Sequence, residues 1–275
     1  MSKPRIKIVP IVVLLLLVAV VVAANVWRNR SQVRNIRVEI AYAGGDTLVT
    51  PQQVASLVQD KYPGMMTSRL RDVDLKTVAQ AAASSPWLYD CVAGTSIGGD
   101  VVVHAVQRRP IVRVCSQGSE YYLDDQAKRV PLSQVSECDV LVASGNIPEK
   151  GKGLEQVWNL ASYLDRHPDL SPLFDQIYRD GKGDLFLTPK LGNHVVQMGS
   201  DQNLDEKFRN LLVLYKQGLP KVGWETYSQI SVKYHGQVVC TKRERVNALT
   251  CECVSPWRIK DSRINELTSS ECVSP

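Results

Sequence analysis

The feature that most constrains this 275-residue chain is an apolar run close to its amino terminus. Residues 8–24 contain no charged side chain, and residues 25–27 extend the run to twenty residues. A helix of that length measures roughly 30 Å, which is the thickness of the hydrocarbon core of a bilayer. The run therefore predicts a transmembrane helix over residues 8–27. The side chains that we expect to contact the membrane include Ile8, Leu14, Leu17, Val21 and Trp27.

The charges around this run predict the topology. Residues 1–7 form a short basic segment that we expect to stay in the cytoplasm. A cleaved signal peptide remains the alternative, because small residues at 22–24 could support cleavage, although the run is longer than the usual 7–15 residues. Either alternative predicts that residues 31–275 lie outside the cytoplasm. An uncleaved helix makes the chain a single-pass membrane protein.

Composition narrows the range of functions. Hydrophobic residues make up 44% and charged residues 22% of the chain, which is typical of a folded protein. The net charge is +5, but no basic block is interleaved with aromatic residues, so we expect no nucleic-acid partner. The seven cysteines give no connectivity. Four are in the body of the chain, and three are near its end: Cys91, Cys115, Cys138 and Cys240, then Cys251, Cys253 and Cys272.

The first folded module is predicted over residues 31–108. Residues 36–42 alternate between apolar and polar and predict a strand. Thr50, Pro51 and Gln53 open a helix with a capping box. A second helix is expected over residues 74–83, and two strands follow around a glycine turn at residues 98–100. The predicted order is strand, helix, helix, strand, strand.

A second, β-rich domain with flanking helices is predicted over residues 109–243. Helical spacing of apolar residues predicts helices near residues 154–166 and 204–217. The last clear strand is expected over residues 229–240. Residues 244–275 lack periodicity, and we expect a disordered tail. The predicted fold class is α+β with one amino-terminal transmembrane helix.

No motif in the chain predicts catalysis. Residues 94–98 match the glycine-x-serine-x-glycine pattern of serine hydrolases, but a hairpin follows where that chemistry needs a helix. The four histidines show no metal-binding spacing. Cys251 and Cys253 could bind a metal but have no second pair nearby. We therefore predict no enzyme activity, no cofactor, no metal and no small-molecule substrate.

The order of these segments resembles the bacterial division family FtsQ/DivIB. Residues 101–106 followed by 107–111 (QRRPI) resemble the family's strand and Arg-Pro joint. Residues 121–124 (YYLD) with 130–132 (VPL) are similar to the start of its β domain. Residues 224–227 and 230–240 look like the closing strand of a Bacteroidota-type branch. The first module resembles a POTRA domain.

The resemblance implies a non-enzymatic scaffold at the division septum, held in the inner membrane with the bulk of its chain in the periplasm. It implies binding to the bitopic proteins FtsB and FtsL and to other septal proteins. We expect a partner strand to add to a sheet edge within residues 230–239, since an edge strand offers unpaired backbone groups. The predicted partner-binding residues are Trp224, Tyr227, Ile230, Ser231, Val232, Lys233, Tyr234 and His235. A POTRA-containing export or outer-membrane assembly factor and a cell-wall hydrolase remain alternatives.

Overall fold

The computed structural model describes residues 8–30, 32–42, 44–96 and 98–243. Within them the chain is an α+β protein with one three-stranded and one nine-stranded sheet. The predicted cytoplasmic segment, residues 1–7, and the predicted disordered tail, residues 244–275, lie outside the described residues. The tail includes the last three cysteines.

Helix α1 (Ile8–Arg30) opens the described chain. A single membrane span needs about 20 consecutive apolar residues in one helix. Within the described residues, no helix combines the length and the apolar character that this requires. The predictions of a transmembrane helix over residues 8–27 and of a single-pass inner-membrane location are therefore wrong. Leu14, Leu17 and Val21 have exposed side chains, and those of Ile8 and Trp27 are outside the described part.

The smaller sheet is built from β1 (Ile36–Ala41), β2 (Leu88–Thr95) and β3 (Val101–Gln107). Strand β3 is central, parallel to β1 and antiparallel to β2. Helices α2 (Pro51–Lys61) and α3 (Leu75–Ala83) lie between β1 and β2 in the chain. The elements therefore follow in the order that the sequence pattern predicts. Whether this module is a POTRA domain stays a prediction.

Local sequence explains where both helices begin. The Thr50 hydroxyl accepts from the Gln53 amide, and the Gln53 side chain accepts from the Thr50 amide, so the capping box forms as predicted. Asp74 caps α3 by accepting from the Lys76 amide. Val54, Val58 and other apolar residues of the two helices pack on the inner face of the small sheet. The opposite face of that sheet carries polar side chains such as Glu39 and His104, whose Oε2 and Nδ1 atoms are 3.2 Å apart.

The large sheet has the strand order β12-β11-β10-β9-β8-β7-β4-β5-β6. Its strands are β4 (Pro110–Ser116), β5 (Ser119–Asp124), β6 (Arg129–Pro131), β7 (Leu141–Gly145), β8 (Phe174–Arg179), β9 (Leu185–Pro189), β10 (Val195–Gly199), β11 (Tyr227–Ser231) and β12 (Val239–Lys242). Three neighbouring pairs are parallel: β4 with β7, β7 with β8, and β10 with β11.

Helices on one face cover the core of the large sheet. Helix α4 (Lys152–Asp165) connects β7 to β8, and α5 (Leu204–Val213) connects β10 to β11, as parallel neighbours require. A π-helical turn (Leu214–Gly218) and α6 (Leu219–Val222) extend α5. One register row of the sheet is fully buried beneath these helices: Val114, Ala143, Ile177, Leu187, Val196 and Ile230. The large sheet therefore has one covered face and one half-exposed face.

The two sheets meet at a buried joint. Arg108, which follows β3, donates to Asp124 at the end of β5 across 2.6 Å, and both side chains are buried. The Trp87 indole donates to the carbonyl of Pro131 at 3.1 Å. Leu48 packs with Tyr122 and other residues of the large sheet in a small shared core. These contacts fix the joint, and the predicted domain bounds of 31–108 and 109–243 stay a prediction.

Candidate partner-binding edge

The large sheet ends in two strands with one neighbour each, β6 and β12. Strand β6 is only three residues long and ends in Pro131, whose ring removes a donor. The first module also covers that end through Trp87. At the other end, β12 pairs with β11 on one side, and no described residue pairs with its outer side. Strand β12 is thus the better site for an added strand.

The final strand differs from the sequence expectation. Residues 229–240 do not form one strand but two, β11 and β12, separated by a loop at residues 232–238. Strand β11 lies between β10 and β12, so its backbone is paired on both sides. The predicted edge over residues 230–239 therefore moves to β12, which keeps only Val239 of that range. The loop forms because Gly236 turns the chain at a φ of 66°.

The predicted partner-binding residues fall into two groups. Ile230, Ser231 and Val232 are buried, and Trp224 and Tyr227 are half-buried against the core. Lys233, Tyr234 and His235 are exposed in the loop before β12. The second group therefore lies in the loop that leads into β12, and the first group lies on β11 or next to it. A role of any of them in binding stays a prediction.

The pairing of β11 with β12 shows which backbone groups face outward. The Ser228 hydroxyl donates to the Thr241 carbonyl at 3.3 Å, so that carbonyl points toward β11. Successive residues of a strand point their backbone groups to opposite sides, so Val239 also points inward. The N–H and C=O groups of Cys240 and Lys242 then point away from the sheet. Sequence reasoning missed these two residues, since no periodicity reveals which strand is outermost.

The side chains of β12 alternate between the two faces of the sheet. Cys240 lies opposite Ile230 and packs against the core, and burial raises the pKa of its thiol. Val239 lies opposite Ser231 on the half-exposed face and is itself 47% exposed. Cys91, Cys115, Cys138 and Cys240 are all free thiols. The edge thus offers outward backbone groups and one exposed aliphatic side chain.

An aromatic cluster supports the chain just before β11. The ring of Trp224 lies 5.3 Å from that of Tyr215 and 6.5 Å from that of His194, between centroids. His194 Nε2 and the Tyr215 hydroxyl are 2.8 Å apart, and burial raises the pKa of Tyr215. This packing fixes Trp224 as part of the core under the edge.

Three other features are candidate sites: the serine motif at residues 94–98, groups of metal-binding side chains, and the cleft beside the joint. Ser96 sits in a hairpin: its amide donates to the Asp100 carbonyl at 2.8 Å, and strand β3 follows. Among the described residues, no group of histidine, cysteine or carboxylate side chains could hold a metal ion. A cleft of about 320 Å³ lies beside the joint. Its basic side chains, Arg109 and Lys190, are paired with Asp165 and Asp175.

Comparison with known proteins adds one finding. Residues 109–241 match a family model described as FtsQ/DivIB, C-terminal related. The match begins one residue before β4 and ends within β12, so it contains the large sheet except Lys242, the last residue of β12. No curated protein sequence matches the chain.

Proposed function

The chain belongs to the FtsQ/DivIB family through residues 109–241, and we propose that it binds FtsB-like and FtsL-like division proteins by adding a partner strand to β12. The family is one of non-enzymatic division scaffolds, so the chain has a role in cell division. The proposal adds the partner, the site and the mode of binding. The observation that carries it is the outer side of β12, with which no residue in the described part of the chain pairs.

Backbone pairing would supply part of the binding energy. Cys240 and Lys242 each offer one outward donor and one acceptor, which makes four hydrogen bonds with a partner strand. At about 0.5–1.5 kcal/mol each, they contribute roughly 2–6 kcal/mol. A micromolar complex needs about 8 kcal/mol. A partner that binds this tightly must therefore also contact side chains around the edge.

Two exposed side chains near β12 are available for these side-chain contacts with the partner. Val239 on β12 is 47% exposed, and Tyr234 in the preceding loop is 57% exposed. Tyrosine is common at binding hot spots because its rigid ring buries a large area. Lys242 adds an exposed positive charge to this end of the sheet. We expect the partner segment to be an extended strand with apolar and acidic side chains.

A proline scan of β12 tests the mode of binding. Cys240→Pro and Lys242→Pro each remove one outward N–H, whereas Cys240→Ala changes the same side chain but keeps the backbone donor. Binding of the FtsB-like protein from the same genome is measured with purified proteins. Losing one hydrogen bond of about 0.5–1.5 kcal/mol should weaken binding by about 2- to 13-fold for each proline variant, whereas Cys240→Ala should bind like the wild type.

The folding of each variant is checked by its thermal unfolding and by the circular dichroism of the large sheet. Two folded proline variants that bind as tightly as the wild type would overturn strand addition at β12. Weak binding by Cys240→Ala would instead show that the side chain, rather than the backbone, is recognised.

A further inference from the structure

The loop that leads into the free edge is held by two carboxylates from other elements. Residues 232–238 connect β11 to β12, and most of their side chains are exposed. Asp184 lies just before β9, and Glu206 lies in the first turn of α5. Both carboxylates bind groups of this loop. Residues far apart in sequence thus meet where the edge strand begins.

Asp184 binds the amino-terminal half of the loop. The Lys233 ammonium lies 2.7 and 3.0 Å from the two carboxylate oxygens of Asp184. Gln197 on β10 also donates to Asp184 at 3.1 Å, which orients the carboxylate. The Lys233 stem crosses Gly199 so closely that a Cβ there would lie 2.6 Å from the lysine Cγ. The path of Lys233 is therefore fixed along its whole length.

Glu206 binds the second half of the loop. One of its oxygens lies 2.8 Å from Nδ1 of His235, and the other accepts from the Gly236 amide at 3.0 Å. The Glu206 side chain is only 22% exposed, whereas that of His235 is 84% exposed. The carboxylate thus holds the backbone at the turn itself. Gly236 is three residues before β12.

We infer that Asp184 and Glu206 are positioning residues that keep β12 ordered and open for a partner strand. This inference rests on the proposed function. Strand β12 has only four residues and one neighbour, and a short two-stranded ribbon is marginally stable alone. Closing a flexible loop of seven residues also costs conformational entropy. Anchoring the loop lowers the cost of presenting the edge, so more of the protein is ready to bind.

Substituting Asp184 or Glu206 should open β12 locally rather than unfold the whole protein, because most of the core does not touch the contacts of these two carboxylates. The exception is Lys207, a buried lysine that donates to the Ser200 carbonyl at 2.7 Å. Asp184 and Glu206 both lie close enough to favour its charged form, while burial lowers its pKa. The global unfolding free energy is therefore measured alongside the local opening of β12.

Hydrogen exchange in the free protein tests the inference without any partner. The variants are Asp184→Asn, Glu206→Gln and the double substitution, and the control is Asp175→Asn, which breaks an exposed ion pair with Lys190 at the end of β9 that lies opposite Asp184. We expect the inward amides of Val239 and Thr241 to exchange at least tenfold faster in the double variant. The control should match the wild type. Unchanged exchange of both amides would overturn the inference.

Binding of the FtsB-like protein then separates the inference from the proposed function. Partner affinity that falls in proportion to the fraction of molecules in which β12 is ordered, as given by the exchange rates, supports both. Wild-type affinity in a variant whose exchange shows β12 open in most molecules would show that the two carboxylates order β12 but that the partner binds elsewhere, which would overturn the proposed function. If a lower free energy of global unfolding accounts for the whole rise in the exchange rates of the β12 amides, the positioning role is overturned.

Discussion

The buried ion pair at the joint is the contact whose loss we expect to be most costly. Arg108 and Asp124 are 2.6 Å apart, with side chains 7% and 1% exposed. The other oxygen of Asp124 accepts from the backbone amides of Gln126 and Lys128 at 2.9 and 2.7 Å. Asp124→Ala therefore leaves a buried guanidinium without its counter-charge and removes the acceptor of two backbone donors.

These losses set the expected magnitude. Removing one partner of a buried ion pair costs about 3–5 kcal/mol, and each donor without an acceptor adds about 1 kcal/mol when buried. Since the two amides lie in a half-buried turn, we expect Asp124→Ala to lower the free energy of unfolding by about 4–6 kcal/mol. Asp124→Asn retains an acceptor for the two amides and should cost about 3–4 kcal/mol.

Urea unfolding, followed by circular dichroism and tryptophan fluorescence, measures these changes. Fluorescence is informative because the Trp158 indole donates to the Asp124 carbonyl at 2.9 Å. The neighbouring Asp125→Ala is the matched control, since Asp125 is 50% exposed and lies 3.9 Å from Arg109. We expect the control to cost less than about 1 kcal/mol.

The double variant Arg108→Met with Asp124→Asn removes both charges and should be milder than Asp124→Ala. The reasoning is refuted if the free energy of unfolding of Asp124→Ala lies within about 1 kcal/mol of that of the Asp125→Ala control.

Two further predictions concern local structure. Thr50→Ala removes the hydroxyl that caps α2, so unfolding free energy should fall by about 1 kcal/mol in urea titrations; the exposed Gln52→Ala in the first turn of the same helix, which leaves the capping box in place, should cost less. Burial raises the pKa of Cys138 to about 12, so its thiol stays protonated in the folded state at pH values where the unfolded thiol, with a pKa near 9, ionises. The stability of the protein should therefore fall as pH rises from 9 toward 12, less steeply in Cys138→Ala, and equal slopes in both would contradict this cause.

Local signals in the sequence predicted much of the fold. The capping box at Thr50 and Gln53 and the apolar spacing near residues 154–166 gave helices close to their observed bounds. The helix expected over residues 204–217 does not end at Gly218, because Leu219 is buried and α6 continues to a turn at Gly223. The buried side chain outweighs the tendency of glycine to end a helix.

The candidate site was harder to predict because it depends on the order of strands. Alternation over residues 229–240 suggested one strand, although an isolated glycine such as Gly236 inside a strand pattern indicates an irregularity. Pairing β11 beside β10 across the α5 connection places β12 outermost. No local pattern carries that information. The prediction of a membrane span was wrong for another reason: an uncharged run alone does not establish a helix that is long and apolar enough to cross a bilayer.

The most direct test of strand addition is the exchange of individual β12 amides with and without the partner. In the free protein, the outward amides of Cys240 and Lys242 should exchange quickly, while the inward amides of Val239 and Thr241 are already protected. Adding the FtsB-like protein should slow exchange at Cys240 and Lys242 by at least tenfold. A complex that forms while these two amides keep their free exchange rates would contradict the account.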